Sequence, residues 1–406
     1  MTDKDSTLVG ILLEEIRRDG PLSFARYMEV CLYHPHLGYY TRGLGGGGGR
    51  DYLTSSGLHR AYGVLIARQV EEMWARLGKP DPFLFVEFGP GEGCFAADLL
   101  SEAARRPGFA RCLRYLLVES SPALAARQRA RLAGRTAVPV AWLTEAELER
   151  RSGFSGVVFA NEVLDAFPVH RIVGTAEGPR EIFVGADGGR LLERVLPLSG
   201  EGVRRFLDES GVVLEDGQEA DLNLAAPCWL SWAVRLPRRG YIIIVDYGHE
   251  ARELYRPERR RGTLLAYHRH RTNEEFLARP GEQDLTAHLD FTALRRAAEA
   301  AGARVLGTLS QSRFLLALGA MRFLAPAATG AAVGAAPEAT LDRIREREAL
   351  KELILPDRMG EKFTVLIAGT ADAPRDLLGL REPWADAREA AAARPGLPAA
   401  PAGREE

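Results

Sequence analysis

The segment FVEFGPGEGCF, residues 85–95, decides the fold of this chain. A β-rich apolar run carries Glu87 near its end, and three glycines then follow at alternate positions, Gly89, Gly91 and Gly93. Glycine permits a sharp turn from a strand into a helix, and it lets backbone N–H groups come close to a ligand. The segment therefore predicts a strand, a tight turn and a helix, with a ligand bound at the turn.

Apolar runs of strand length recur along the chain around this turn. They are separated by helical stretches rich in Ala, Arg and Glu, such as SPALAARQRARLA. The runs are FLFVEF, RYLLVES, VPVAW, GVVFANE, YIIIVDYG and, nearer the carboxyl end, FTVLIAG. Short strands interleaved with helices predict an α/β fold in which helices cover both faces of a mainly parallel sheet.

One long interval, between GVVFANE and YIIIVDYG, breaks this alternation. It is too long for a simple crossover between neighbouring strands. Within it, Asp187, Gly188 and Gly189 join two alternating runs, which predicts a β-hairpin. We expect the interval to form an insertion over the carboxyl edge of the sheet, where open α/β sheets bind their ligands.

Composition and charge exclude several classes of protein. The 406 residues are 46% hydrophobic and carry a formal net charge of -2, which argues against a nucleic-acid-binding surface. No apolar stretch approaches the roughly 20 residues that a membrane-spanning helix needs, so we predict no membrane insertion. Acidic residues interrupt the apolar pattern of the first 20 positions, unlike a secretory signal or a transit peptide. We therefore expect a cytoplasmic location.

The cysteines and histidines give no metal signature. The four cysteines are far apart and form no CxxC pair. Two His-x-His pairs, at positions 34/36 and 268/270, have no Cys or Asp partners at ligand spacing. We predict buried free thiols and no metal site.

Two carboxylates follow successive predicted strands and point to the class of ligand. Glu87 precedes the glycine turn, and Glu119 ends RYLLVES, where nucleoside-binding α/β folds place an acid that accepts hydrogen bonds from ribose hydroxyls. Cys94 stands where the dinucleotide fingerprint G-x-G-x-x-G requires its last glycine. A nucleoside with a cationic group and no phosphate suits these acids better, and S-adenosylmethionine fits that description. The alternative is a structural strand–helix turn with surface acids.

A set of motifs resembles the MidA-like family, which includes the mitochondrial complex I assembly-factor arginine methyltransferases. In chain order they are GPLSFARYM, HPHLGYY, RDYLTSS, VEFGPGEG, ANEVLDAFPVHR, VDYGH, QDLTAHLDF and PDRMGEKF, and they span roughly residues 15–370. The resemblance implies a Rossmann-like class I methyltransferase that uses S-adenosylmethionine. In the mitochondrial members, it implies methylation of an arginine on a respiratory complex I subunit, so the expected partner is a protein substrate with a target arginine.

The resemblance also assigns residues to the cofactor site. The residues that match the family's cofactor-binding motifs are Thr54, Ser55, Glu87, Gly89, Gly91, Gly93, Glu119 and Asn161. Ser56 and Gly57 stand where family members often carry a proline and an acid, so the contacts of this loop depart from the family pattern.

Two acids at the end of GVVFANE and just beyond it are the candidate catalytic residues. An arginine is almost always protonated and attacks a methyl group only as a proton leaves the reacting nitrogen. We expect Glu162 to anchor the guanidinium by paired hydrogen bonds and Asp165 to steer or accept the proton. Alternatively, Asp165 caps the turn ahead of Pro168.

Further residues are candidate substrate contacts. Asp246 and Tyr247 close the predicted fifth strand, where a plain strand-end turn is the alternative. His270 and His288 lie in a loop-rich region that we expect to cover the substrate.

We divide the chain into five parts. Residues 1–80 form a helical region with a cofactor lid, 81–170 the first part of the cofactor-binding domain, and 171–235 the inserted substrate-side region. Residues 236–370 complete the methyltransferase domain, and 371–406, which have little apolar patterning, form a flexible tail.

Two other functions are compatible with these motifs. One is an assembly or interaction protein that binds the cofactor without turnover, and the other is a methyltransferase acting on a small molecule. A homodimer is compatible with the sequence.

Overall fold

The helices and strands follow the alternation that the sequence predicts. The computed structural model describes residues 7–44, 59–269, 271–324 and 337–383. The helices are α1 (Leu8–Asp19), α2 (Phe24–Tyr33), α3 (Ala61–Arg76), α4 (Cys94–Ala103), α5 (Pro107–Cys112), α6 (Pro122–Leu132), α7 (Glu145–Glu149), α8 (Glu201–Ser210), α9 (Ala225–Ala233), α10 (Ala251–Leu254), α11 (Phe291–Ala300), α12 (Gln311–Ala317), α13 (Met321–Leu324) and α14 (Pro337–Ile354). The strands are β1 (Leu22–Ser23), β2 (Phe83–Phe88), β3 (Leu113–Val118), β4 (Val140–Leu143), β5 (Phe154–Asn161), β6 (His170–Val173), β7 (Arg180–Asp187), β8 (Arg190–Leu196), β9 (Glu219–Leu222), β10 (Pro237–His249), β11 (Leu265–His268), β12 (Arg271–Asn273), β13 (Asp284–Thr286), β14 (Leu289–Asp290), β15 (Arg304–Ser310) and β16 (Phe363–Gly369).

The central sheet has the order β15-β16-β10-β5-β2-β3-β4. Strands β4, β3, β2, β5 and β10 run parallel, and β16 lies antiparallel between β10 and β15. The chain order reverses between β2 and β5, and the crevice at such a switch point is where open α/β sheets bind ligands. The glycine turn after β2 and the acids after β5 therefore meet at one edge.

Helices cover both faces of this sheet. Apolar side chains of α3, α4, α12 and α14 pack on one face, and those of α9 and α11 pack on the other. Because both faces are covered, the central strand segment Tyr241–Val245 is almost fully buried. This explains why YIIIV, residues 241–245, is continuously apolar and does not alternate with polar residues.

A substrate-side region lies over the carboxyl edge of the sheet. Its first sheet contains β1, β6, β7, β8 and β9, and its second contains β11, β12 and β13. The predicted hairpin is confirmed, since Asp187 pairs with Arg190 and Gly188 and Gly189 between them have φ values of 52° and 80°. Asn223 Nδ2 donates to Leu164 O at 2.9 Å and so ties this region to the chain just after β5.

The substrate-side region is larger than the predicted insertion at 171–235. Helices α1 and α2 share one apolar core with β7, β11 and β13. Segments far apart in the sequence thus build one body, because none of them has enough apolar surface to form a core alone. The hairpin pattern at residues 187–189 predicts the insertion, but it does not predict that α1, α2, β11 and β13 complete the core.

The fold continues beyond residue 370, where the flexible tail was predicted to begin. Leu377 is fully buried, and the turn Leu378–Leu380 packs on α3. There, Gly379 N donates to Gln69 Oε1 at 2.7 Å and Leu378 N donates to Glu72 Oε2 at 2.7 Å. The prediction is therefore wrong for residues 371–383, because a four-residue apolar run is enough to dock when α3 supplies acceptors. Across the described ranges, no helix has the length and apolar character needed to cross a membrane.

Candidate functional site

A cavity of about 600 Å³ opens at the carboxyl ends of β2, β3, β4 and β5. This volume lies in the range of pockets that bind small molecules and cofactors. The glycine turn, three strand ends and several aromatic side chains contribute to its wall. The lining includes Tyr33, Tyr40, Glu87, Gly89, Gly91, Glu119, Thr144, Ala146, Asn161, Glu162, Phe167 and Trp229.

The glycine turn has the conformation that the sequence predicts. Gly89, Gly91 and Gly93 have φ values of 58°, 53° and 76°, in the left-handed region that favours glycine. A Cβ atom on Gly89 would also lie 2.7 Å from Cγ2 of Val163. The turn therefore needs glycine for both conformation and space, and it brings the backbone to the cavity wall.

Glu87 lies at the base of the cavity and is almost fully buried. Its Oε2 accepts a hydrogen bond from the Tyr115 hydroxyl at 2.6 Å. Burial, together with the nearby charge of Glu119, raises the pKa of Glu87 to about 8 despite this bond. A cationic ligand would stabilise the ionised form of such a carboxyl group.

Glu119 is held in one orientation at the end of β3. Its Oε1 accepts from Ser121 N at 2.7 Å, and its Oε2 accepts from Gln128 Nε2 at 2.9 Å. Burial raises the pKa of Glu119. A carboxylate has about four acceptor positions, so lone pairs remain on both oxygens for the two hydroxyls of a ribose.

Several residues that line the cavity were not predicted from the sequence. Thr144 and Ala146 follow β4, where Thr144 Oγ1 accepts from Glu147 N and Glu147 Oε2 accepts from Thr144 N. This capping box, T-x-x-E, begins one residue after VPVAW and is a sequence signal for a helix start at the cavity. Trp229 comes from α9, and its ring meets Phe88 edge to face at 4.9 Å. No local pattern places Trp229 near the glycine turn.

Asn161 and Glu162 lie together where β5 ends. Asn161 Nδ2 donates to Glu162 Oε1 at 3.1 Å, and the Tyr62 hydroxyl donates to Asn161 Oδ1. Glu162 has a φ of 55°, which is uncommon for a residue other than glycine. Its backbone N–H is fixed by Val245 O at 2.9 Å. Strained backbone of this kind clusters at functional sites, and both residues line the cavity.

Asp246 positions the loop that follows Glu162. Its Oδ2 accepts from the backbone N–H groups of Val163, Leu164 and Asp165 at 3.2, 2.9 and 3.3 Å. Its Oδ1 accepts from Tyr247 N at 2.9 Å, and the side chain is fully buried. Backbone donors occupy the carboxylate of Asp246 and β10 continues past it, which favours a positioning role. Contact of Asp246 with the substrate stays a prediction.

Asp165 is buried within a cluster of acids. Burial, followed by the charges of Asp246, Asp284 and Glu162, raises its pKa well above the usual range. Its backbone oxygen accepts from Ala287 N at 2.9 Å, which joins the loop after β5 to the segment after β13. Burial also raises the pKa of Asp246, to about 7. We call Glu162, Asp165, Asp246 and Asp284 the acidic cluster.

Asp284 is the acid that sequence reasoning missed. The Tyr40 hydroxyl lies 2.8 and 2.9 Å from its two carboxylate oxygens, and Leu285 N donates to Oδ1 at 3.0 Å. Tyr33, which stacks on Tyr40, donates its hydroxyl to Ala166 O at 3.0 Å. The family motifs do contain these residues. Asp284 is the second residue of QDLTAHLDF, Tyr40 is the last residue of HPHLGYY, and Tyr33 ends α2.

Tyr247 and His288 stack on each other beside the acidic cluster. Their ring centroids are 5.8 Å apart with an interplanar angle of 16°. Burial and the charge of Glu162 raise the pKa of Tyr247, while burial and His249 lower the pKa of His288 to about 3. Neither ring lines the cavity with the glycine turn. Their contact with substrate stays a prediction.

Three predicted site residues lie outside the described residues: Thr54, Ser55 and His270. Of the His-x-His pairs, His34 has a structural role, since its Nδ1 accepts from the backbone N–H groups of His36 and Leu37 at 3.3 Å. Within the part of the chain that the structure describes, no group of three His, Cys, Asp or Glu side chains is arranged to hold a metal ion. The expectation of buried thiols is correct for Cys31 and Cys112, whereas Cys228 is exposed.

Known proteins resemble this chain over most of its length. The model of a family of S-adenosyl-L-methionine-dependent methyltransferases matches residues 65–309. "Protein arginine methyltransferase NDUFAF7, mitochondrial" from Danio rerio is 30% identical over 334 residues, covering 76% of this chain and 75% of the relative. The protein of that name from Homo sapiens is 28% identical over 385 residues, covering 87% and 81%.

A solved structure supports the same assignment. The crystal structure of a Burkholderia thailandensis protein bound to S-adenosyl-homocysteine has a TM-score of 0.80 at 31% identity, covering 92% of this chain and 95% of that chain. The cavity beside Glu87 and Glu119 fits such a nucleoside in size and in its acceptors. The cofactor is S-adenosyl-L-methionine, and the chain belongs to the MidA-like family of class I S-adenosylmethionine-dependent methyltransferases.

Proposed function

We propose that the chain is a protein arginine N-methyltransferase and that the acidic cluster binds the target guanidinium. The observation that carries this proposal is the crowding of Asp165 with Glu162, Asp246 and Asp284 next to the cofactor cavity. Buried carboxylates are costly unless a cation is supplied, and each neighbour raises the proton affinity of the others. A guanidinium is a planar cation with five donors, so it can serve several carboxylates at once.

Glu162 is the proposed anchor for the guanidinium. It lines the cofactor cavity, and its Oε1 already accepts from Asn161 Nδ2, which restricts its orientation. A carboxylate can accept two parallel N–H bonds from arginine in fork geometry. This pairing would fix the orientation of the reacting nitrogen, which an in-line displacement requires.

Asp165 is the proposed proton acceptor. When bound, the cofactor would supply a methyl group on its sulfonium. As the new N–C bond forms, the S–C bond breaks and S-adenosyl-homocysteine is left, and the arginine nitrogen must give up one proton. Burial and three neighbouring acids raise the pKa of Asp165 in the ligand-free protein. A guanidinium bound beside Asp165 would favour its ionised form, and that carboxylate could then accept the proton. Asp246 acts through the loop, because its bonds to three successive backbone N–H groups fix the position of Asp165 relative to Glu162.

The relatives named above support the arginine substrate, since their names assign them protein arginine methylation. A substrate related to the respiratory complexes is the finer form of the proposal that the family resemblance suggests. The cytoplasmic location and the homodimer stay predictions, which cell fractionation and the mass of the protein in solution would test.

Replacement of Glu162 by Gln tests the proposal. The substitution removes the charge that anchors the guanidinium but keeps the shape, so we expect methyl transfer to fall by about 100-fold or more. Cofactor binding, measured by isothermal titration, should change little because Glu87 and Glu119 remain. The matched control is Glu299→Gln, the same change on the exposed face of α11.

The same variant separates the enzyme from a cofactor-binding assembly protein. If Glu162→Gln retains wild-type methyl transfer, the proposed role of the cluster is wrong. If the variant loses transfer but still supports every partner interaction of the wild type, the assembly function gains support.

A further inference from the structure

A second cavity, of about 460 Å³, lies in the substrate-side region. It shares no lining residue with the cofactor cavity. Its wall is formed by segment 261–265, by side chains of β8 and β9, and by Arg259 and His288. Most of these side chains are polar or charged, so the cavity is suited to a polar ligand.

Two residues of this cavity wall each carry a buried nitrogen atom without a partner. Within the described ranges, Nε of Arg259 and Nδ1 of His288 are shielded from solvent and have no hydrogen-bond partner. A buried unpaired donor costs free energy, so a ligand that supplied an acceptor would be stabilised here.

The charge of Arg259 is poorly compensated. Its guanidinium reaches Glu253 only at 3.8 Å. Burial and the nearby charge of Arg256 lower the pKa of Arg259, which is the response of a cation in an unfavourable position. An anionic group next to Arg259 would relieve both effects.

The acidic side chains of the same cavity are already paired. Glu193 and Glu219 both accept from Arg171, whose guanidinium lies 4.9 Å from the ring of Phe276. Glu274 pairs with Arg261 at 2.9 Å. Among the described residues, Arg259 pairs with none of the three lining glutamates, so the unmet requirement is for an acceptor beside Arg259.

The cavity is close to the acidic cluster. His288 contributes to its wall and stacks on Tyr247. Glu162 is near enough to Tyr247 for its charge to raise the pKa of the Tyr247 hydroxyl. Asp284 of the cluster lies four residues before His288, so their Cα atoms are at most about 14 Å apart. One extended peptide can thus place an arginine at the cluster and another side chain in this cavity.

We propose that the second cavity binds an acidic side chain of the protein substrate, within about four residues of the methylated arginine. The Arg259 guanidinium and the His288 ring, in its Nδ1–H tautomer, would turn toward the cavity and donate hydrogen bonds to the carboxylate. The two sites then fit a substrate that carries both charges: the acidic cluster binds the arginine, and Arg259 binds the nearby acidic side chain. This inference rests on the proposed function.

A peptide series tests the inference with the full-length protein. Each peptide carries one arginine, and a glutamate is moved from four residues before it to four residues after it; in the matched series, glutamine replaces the glutamate. We expect at least one register in which kcat/KM for the glutamate peptide exceeds that for the glutamine peptide by about tenfold, the size of a charge-assisted hydrogen bond.

Variants assign the preference to the cavity. Arg259→Gln should reduce the glutamate-to-glutamine ratio to about one, whereas Arg259→Lys, which keeps the charge, should retain part of it. The matched control is Arg260→Gln, because Arg260 does not line the cavity and pairs with Glu215 at 2.7 Å. Thermal unfolding of each variant shows that it is folded.

The two proposals can fail separately. If arginine peptides are methylated with no preference for glutamate in any register, the inference is wrong and the proposed function stands. Binding of the same peptides to the protein saturated with S-adenosyl-homocysteine, followed by fluorescence anisotropy, needs no turnover. A glutamate preference there that Arg259→Gln abolishes supports the cavity even if no arginine is methylated, and equal binding of both series contradicts it.

Discussion

The cofactor side and the substrate side of the site differ in the groups that surround their carboxylates. On the cofactor side, Glu87 and Glu119 accept hydrogen bonds from neutral donors: the Tyr115 hydroxyl, Ser121 N and Gln128. On the substrate side, Asp165 lies among Glu162, Asp246 and Asp284, each of which raises its pKa further.

This difference indicates whether each side of the site is arranged before or after its ligand binds. The cofactor acids are oriented by the protein itself, so this half of the site is arranged before any ligand binds. Asp165 is crowded by three further acids, so a guanidinium brought by the substrate would stabilise this half. Differential binding of this kind is what a catalytic site requires of its substrate side.

The largest expected effect comes from Asp165→Asn, which breaks the substrate side alone. Asn cannot accept a proton, so kcat should fall by about 10²- to 10⁴-fold, the contribution of a positioned general base. Cofactor affinity should stay within about twofold, because hydrogen bonds to the cofactor side are untouched. Steady-state kinetics and isothermal titration measure the two quantities, and an unchanged kcat would show that Asp165 is not the proton acceptor.

A smaller effect is expected from Glu119→Gln, which breaks the cofactor side alone. The change removes a charged acceptor, so we expect cofactor affinity to weaken by about 10- to 100-fold, corresponding to about 1.5–3 kcal/mol for hydrogen bonds to a charged group. At saturating cofactor, kcat should remain near that of the wild type. Glu149→Gln, on the exposed end of α7, is the control. Equal loss of affinity in both variants would contradict the ribose assignment.

The pH dependence of cofactor binding sharpens the comparison further. Glu87 has its pKa raised to about 8 by burial, so below that pH it is mostly protonated in the ligand-free protein. A cationic cofactor favours the ionised form, so affinity should rise with pH by up to about tenfold per unit and level off above pH 8. Titrations at pH 6, 7, 8 and 9 check this, and Glu87→Gln should flatten the profile. A profile that falls with pH would have the wrong sign.

The two sides also differ in how far the sequence predicts them. Glu87, the three glycines and Glu119 belong to two short segments, and each sits at the end of an apolar run. Local patterns therefore sufficed to place them at one edge of a parallel sheet. Asn161 and Glu162 could be placed for the same reason, because they end the strand next to β2.

The substrate side could be predicted only in part. The Asp284 carboxylate accepts a hydrogen bond from Tyr40, which lies 244 positions earlier in the chain. The loop after β5 is bonded to Ala287, more than a hundred residues later. No spacing in one sequence encodes such contacts. The sequence places Asp246 at a strand end because the apolar run stops there, whereas pairing with β16 and β14 carries β10 on to His249.

The acidic cluster makes the central claim directly measurable. Peptides that contain either arginine or lysine as their only basic residue are incubated with the protein and a cofactor carrying a deuterated methyl group, and the products are sequenced by mass spectrometry. We expect the label on arginine nitrogen, with none on the lysine peptides, and its loss in Glu162→Gln. Label on lysine, on a carboxyl group or on no peptide at all, while the protein still binds its cofactor, would contradict the proposal that the crowded acids hold a guanidinium.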